Sequence, residues 1–207
     1  MFKYRKKIDR KIASKLVKYL LKTSITPNQI TTFSLLLAAF AAVFFSFGIY
    51  FFSVIGSILF IISKFLDNVD GQLARELKTT TKFGYYYDNF TDTATYVLMF
   101  IGISAGIPPG IFEIKIFSII YIDLQNYLLF SAIIASLLNT FLALIHKHRT
   151  NKDFDWPQTD KVDLDDGIYL IGPITWIGFI NFFFLTASIG SVIYVIYNLK
   201  RFVKGTN

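Results

Sequence analysis

The stretch from Thr23 to Ser63 contains no Asp, Glu, Lys or Arg. About 20 apolar residues cross a bilayer core as a helix, because lipid offers exposed backbone groups no partners. The run is too long for one span and fits two, turning near Gly48-Ile49. Further uncharged runs cover Thr93 to Phe112, Leu124 to His146 and Gly167 to Leu199. Only 17% of the chain is charged against 54% hydrophobic, whereas soluble domains carry about a quarter charged residues. The chain is therefore expected to be an all-α integral membrane protein.

Six spans account for these runs. After the first two, a third covers about Phe83 to Gly106, closed by Pro108-Pro109-Gly110. Residues Ile111 to Asp123 are apolar but interrupted by Glu113, Lys115 and Asp123, and are read as a loop or short interfacial helix. The fourth span covers about Asn126 to His146. The run from Gly167 to Leu199 is read as two short or tilted helices, turning near Gly178 to Asn181. With both termini inside, 19 of the 21 Lys and Arg fall on one side, Lys64 sits at the inner end of the second span, and Lys115 alone falls outside. That distribution follows the positive-inside rule and places both termini and the polar loops in the cytoplasm of a cell (inner) membrane.

The segment from Tyr4 to Lys22 spaces Ile8, Ile12, Leu16 and Leu20 four apart among Lys and Arg, as in an amphipathic helix lying on a membrane surface with its cations near anionic headgroups. Its long charged stretch and the length of the following apolar run distinguish it from a cleavable signal peptide. The expected organisation is a cytoplasmic amphipathic helix over 1–26, a membrane domain over 27–200 and a tail over 201–207. The absence of cysteine excludes disulfides, thiolate metal sites and thiol nucleophiles. The basic balance is attributed to the membrane, and no nucleic-acid partner is expected.

Chemistry concentrates where the second and third spans meet the cytoplasm: Asp67-Asn68-Val69-Asp70-Gly71-Gln72-Leu73-Ala74-Arg75, then Gly84-Tyr85-Tyr86-Tyr87-Asp88-Asn89-Phe90-Thr91-Asp92. Residues three and four apart share a helix face, so Asp67, Asp70, Gly71 and Ala74 line one stripe and Gly84, Asp88 and Asp92 another. The short connection predicts antiparallel neighbouring helices with four converging carboxylates. Each Asp costs on the order of 2.5–3.5 kcal/mol within a span. Lys64 and Arg75 are too few to neutralise the group. All-oxygen ligation without His or Cys points to a hard ion, Mg²⁺ or Mn²⁺ before Ca²⁺, and four carboxylates suit a pair of ions clamping phosphoryl groups. Gly71, Ala74 and Gly84 allow either close helix packing or ligand approach. Arg75 suits either a diphosphate at the aqueous edge or ordinary positive-inside charge.

The spacing D-x2-D-G-x2-A-R-x8-G-x3-D-x3-D is filled at every fixed position by Asp67, Asp70, Gly71, Ala74, Arg75, Gly84, Asp88 and Asp92. It resembles the signature of the CDP-alcohol phosphotransferase family, and Pro27-Asn28-Gln29-Ile30-Thr31 resembles the segment that opens that family's membrane domain. The specific resemblance is confined to residues 27 to 92. It implies transfer from a CDP-linked donor to an alcohol with release of CMP. It also implies that Asp67, Asp70 and Asp88 are metal ligands and that Asp92 is ligand and general base. Gly71, Ala74 and Arg75, with Gly84, Asn28 and Thr31 in support, meet the CDP moiety. The implied partners are CDP-diacylglycerol, a small alcohol, membrane lipids and a second copy of the chain in a homodimer. With neither Cys nor a Ser-His pair, direct displacement is the economical mechanism.

A divalent-cation transporter is the alternative from another class, although the carboxylates gather at one membrane face. An Asp-rich prenyltransferase would need a second acidic motif. His146 and His148 read as an interfacial basic cluster, and Tyr85, Tyr86 and Tyr87 as an aromatic belt. The acids Asp163, Asp165 and Asp166 before the fifth span favour an acceptor lacking phosphate.

Overall fold

The computed structural model describes residues 2–116, 120–150 and 167–204. Helices α1 (Phe2–Leu20), α2 (Pro27–Ser46), α3 (Tyr50–Glu76) and α4 (Lys82–Gly106) precede a hairpin of β1 (Glu113–Ile116) and β2 (Ile120–Asp123). Helices α5 (Leu124–Thr150), α6 (Ile171–Trp176) and α7 (Ile180–Lys204) follow. Four helices, α2, α3, α5 and α7, are long and apolar enough to cross a membrane. At 25 residues α4 has the length, but Lys82, Asp88, Asp92 and a run of Tyr, Asn and Thr lower the hydropathy of its first half.

Helix α2 starts at a sharply defined point. Thr26 accepts a hydrogen bond from Gln29 N, the Gln29 side chain reaches back to Thr26 N, and Pro27 takes the first helical position, where no N–H is needed. Its small face then organises the bundle. Both α3 and α4 pack on α2, and they do not pack backbone to backbone against each other. At the α3 interface, Gly56 lies so close to α2 that a Cβ would meet Ala41 O at 3.0 Å. At the α4 interface, a Cβ on Gly102 would stand 2.6 Å from Ala42 Cα, and one on Gly106 would strike Phe45 O. Only small residues allow backbones to approach so closely in a membrane. The expected neighbours α3 and α4 thus meet through side chains at their Asp-bearing ends, while their backbones pack on α2 rather than on each other.

Ala41, Phe45, Phe60, Met99, Ile103 and Phe184 form a buried centre in the half of the bundle away from the aspartates. At the Asp-bearing end, Ala13, Val17 and Leu20 of α1 pack against Ile30, Val69 and Leu73. The first helix is therefore anchored to the carboxylate-bearing turns of α3.

Two expectations are corrected here. Residues Glu113 to Asp123 form an antiparallel hairpin, with Ile114 opposite Ile122 and Ile116 opposite Ile120, so the chain is helical but not all-α. Isoleucines at alternate positions favour strands. The run from Gly167 to Leu199 does divide, between α6 and α7, but the second helix is not short: α7 runs 25 residues, through Lys200 and Arg201 to Lys204. Long basic side chains carry a helix beyond its apolar run by reaching toward the interface. The turn before α7 falls at Ile177–Phe179, with Gly178 at φ +85, a left-handed conformation suited to glycine. The acids from Asp153 to Asp166 lie outside the described residues.

Candidate metal centre

Helix α3 continues without a break through Lys64 to Glu76, carrying Asp67 and Asp70 in its C-terminal turns. Helix α4 begins beyond a short connection, where Thr81 accepts from Gly84 N at 3.0 Å, and so brings Asp88 in its second turn to the same level. One carboxylate oxygen from each of Asp67, Asp70 and Asp88 lies within 4.8 Å of the others. Asp70 is buried, Asp67 half-buried and Asp88 exposed, so the group spans from protein interior to water.

The opening turn of α2 contributes directly. Thr31, 4% exposed, donates its hydroxyl to Asp70 Oδ2 at 2.5 Å. Its hydroxyl is thereby engaged with the carboxylate rather than presented to a donor. Asn28 is exposed near Gly84, its Oδ1 3.7 Å from where a Gly84 Cβ would stand. A Cβ on Gly71 would meet only the Arg75 guanidinium, at 3.5 and 3.8 Å. Neither glycine is pressed against another helix, in contrast to Gly102 and Gly106. Ala74 is half-buried and Arg75 exposed.

Asp92 stands apart from the trio. Its Oδ1 is ion-paired with Lys64 Nζ, which also contacts Asp67 Oδ2 at 3.0 Å and lies 4.9 Å above the Tyr96 ring. Lys64 is 8% exposed. Sequence reasoning counted it only as insufficient neutralising charge. Its signal was its isolation, a lone cation ending the long uncharged run and three residues before Asp67.

His146 is buried and His148 exposed at the end of α5. Lys147 lies 5.2 Å above the Tyr85 ring, linking α5 to α4 beside the site. Thr32 hydrogen-bonds Tyr87 at 2.8 Å, so one residue of the aromatic trio ties α4 to α2.

Four carboxylates face one lysine here. The trio supplies only oxygen ligands, two of its carboxylates are shielded from bulk water, and Asp70 is oriented by a hydroxyl. That donor set fits a hard divalent cation.

The sequence model of the CDP-alcohol phosphatidyltransferase family matches residues 24–152, and the chain belongs to that family. The bifunctional IPC transferase and DIPP synthase of Aquifex aeolicus is 38% identical over 85 residues, 41% of this chain and 19% of that protein. The protein of the same name from Archaeoglobus fulgidus is 32% identical over 115 residues, 55% of this chain and 22% of that one. The chain thus spans about a fifth of the length of these curated relatives. The fold is that of Mycobacterium tuberculosis phosphatidylinositol phosphate synthase. The structure of that enzyme with CDP-DAG bound aligns with a TM-score of 0.67 at 16% identity, covering 93% of this chain and 94% of that one. Its complex with manganese and citrate also gives 0.67, covering 92% and 88%.

Proposed function

We propose that the chain transfers a phosphatidyl-type group from CDP-diacylglycerol to an alcohol, with release of CMP. The observation that carries this reading is the convergence of Asp67, Asp70 and Asp88 from two helices, in a chain of this family. The acceptor oxygen bonds to the phosphorus bearing diacylglycerol. The bond from that phosphorus to the bridging diphosphate oxygen breaks, and its electron pair leaves on CMP. Asp92 takes the hydroxyl proton, and it lines a cavity between α4, α5 and α7. In this reading Asp67, Asp70 and Asp88, with Asp92 as fourth ligand, hold Mg²⁺ or Mn²⁺ as a pair of ions. Bound there, such ions neutralise diphosphate charge and stabilise the leaving group.

Gly71 and Gly84, open rather than packed, leave room for the CDP moiety between Asn28, Ala74 and Arg75, and Thr31 holds Asp70. The CDP-DAG and manganese complexes of the structural neighbour support the same donor and metal for this chain. Six spans, cytoplasmic termini flanking a catalytic domain over 27–200, an inner-membrane location and a homodimer complete the reading. The one-sided basic charge supports the orientation. The cation-transporter alternative loses its support, because the family is one of transferases.

The test is CMP release from CDP-diacylglycerol by the purified protein and its Asp92→Asn variant. The variant should still bind donor but lose at least ten-fold in kcat, since general-base contributions run roughly 10²–10⁴-fold. Retention of more than about a tenth of wild-type kcat would remove the base assignment.

A further inference from the structure

Helix α1 carries two opposed faces. Ala13, Val17 and Leu20 are buried against Ile30 of α2 and against Val69 and Leu73 of α3. These contacts surround one ligand of the trio. Val69 precedes Asp70, Leu73 follows it by one turn, and Ile30 precedes Thr31, which donates to Asp70. The apolar stripe expected from Ile8, Ile12, Leu16 and Leu20 is thereby divided: Leu20 turns into the protein, whereas Ile12 stays exposed.

The side of α1 away from the protein is basic. Lys11, Lys15 and Lys18, spaced four and three apart, share one face, Lys22 follows in the next turn, and all four are exposed. Among the described residues none of these lysines forms a salt bridge. Ile12 and Tyr19, seven residues apart and so on one flank, stand between the lysines and the packed face at 51% and 69% exposure. The chain enters the first membrane-crossing helix at Pro27, shortly after α1 ends at Leu20, so this flank lies near where headgroups begin. A soluble polyanion would meet the lysines alone. Exposed apolar side chains beside them fit a surface with an apolar layer under its charge, as a helix seated in the membrane interface does.

We propose that α1 reads the charge of the membrane surface: anionic headgroups hold its lysines, keep it packed on α3, and so hold Asp70 in place. Anionic lipid is then an activator, separate from donor and acceptor, and this activation rests on the transferase reading above. The four lysines are positioning residues, acting on Asp70 through Val69 and Leu73.

The experiment places the purified full chain in nanodiscs of phosphatidylcholine alone or mixed with phosphatidylglycerol. It is compared with a variant carrying Lys11→Gln, Lys15→Gln, Lys18→Gln and Lys22→Gln. At subsaturating Mn²⁺, CMP release by the wild type is expected to be at least about five-fold faster on the anionic discs, the value of one lysine at such a surface. High salt should remove the advantage. The variant should match the wild type on neutral discs and gain nothing on anionic ones. On the same anionic discs it should need more Mn²⁺ for half-activation, with an unchanged KM for CDP-diacylglycerol. Lysines that merely gathered anionic donor would move that KM instead, and such a result would overturn the proposal. So would a wild type equally active on both discs, or a variant activated as strongly as the wild type. A polarity-sensitive dye on Tyr19→Cys reads the seating without catalysis. Its emission should shift to the blue on anionic discs and fail to shift in the variant background. An equal response on both discs would overturn the surface assignment. A selective shift without CMP release on any membrane would refute the transferase reading and the activation with it, while supporting the surface contact.

Discussion

Lys64 of α3 is ion-paired with Asp92 of α4. The same ammonium reaches Asp67 at 3.0 Å, so one buried cation divides the four carboxylates into a trio and a separate Asp92. Replacing it with a neutral side chain of similar length leaves two carboxylates facing each other in a half-buried space. Breaking a buried pair by removing one partner costs roughly 3–5 kcal/mol, and the partial exposure of Asp92 points to about 3. Lys64→Met is expected to lower the Tm in detergent, with a fall in kcat as Asp92 loses its anchor. A Tm equal to wild type would show that the pair contributes nothing to the fold.

Thr31 offers a separable test of the trio. Its hydroxyl is the side-chain donor to Asp70 in the structure, and groups that orient a metal ligand are typically worth 10–100-fold in metal affinity or activity. Thr31→Val keeps the shape of the side chain. Activation by Mn²⁺ is expected to shift to roughly ten-fold higher concentration or beyond, with much of the rate recovered at saturating metal. An unchanged activation curve would mean that Asp70 is oriented by something other than Thr31.

Orientation in the membrane is tested without background labelling, since the chain has no cysteine. Single cysteines introduced near residues 5, 155 and 205 should all react from the cytoplasmic side. Reaction of residue 205 from the opposite side would require an odd number of spans.

Much of the site was legible in sequence because its chemistry is costly in lipid. An Asp in an apolar helix needs a cause, and four at helical spacing need a shared one. Pro27 to Thr31 marked the opening of the membrane domain, where α2 starts, and Pro108-Pro109-Gly110 the end of α4. The position of α2 between α3 and α4 was not legible, because Gly102 and Gly106 read as ordinary small residues until Ala42 and Phe45 lie against them. The hairpin was missed because four-residue strands give too short an alternation to outweigh the charges around them. The Asn139–Asn198 hydrogen bond between α5 and α7 joins residues 59 apart, and each Asn alone is unremarkable in its helix.

The central claim is that the carboxylate trio holds a divalent metal on which transfer depends. The most direct measurement is CMP release from CDP-diacylglycerol by the purified protein, with an alcohol acceptor, before and after chelation and on re-addition of Mg²⁺ or Mn²⁺. Release should vanish with chelator and return with either ion, and Asp70→Asn, which weakens the buried member of the trio, should need more metal to recover. Full release from a metal-free, chelated preparation would contradict the account.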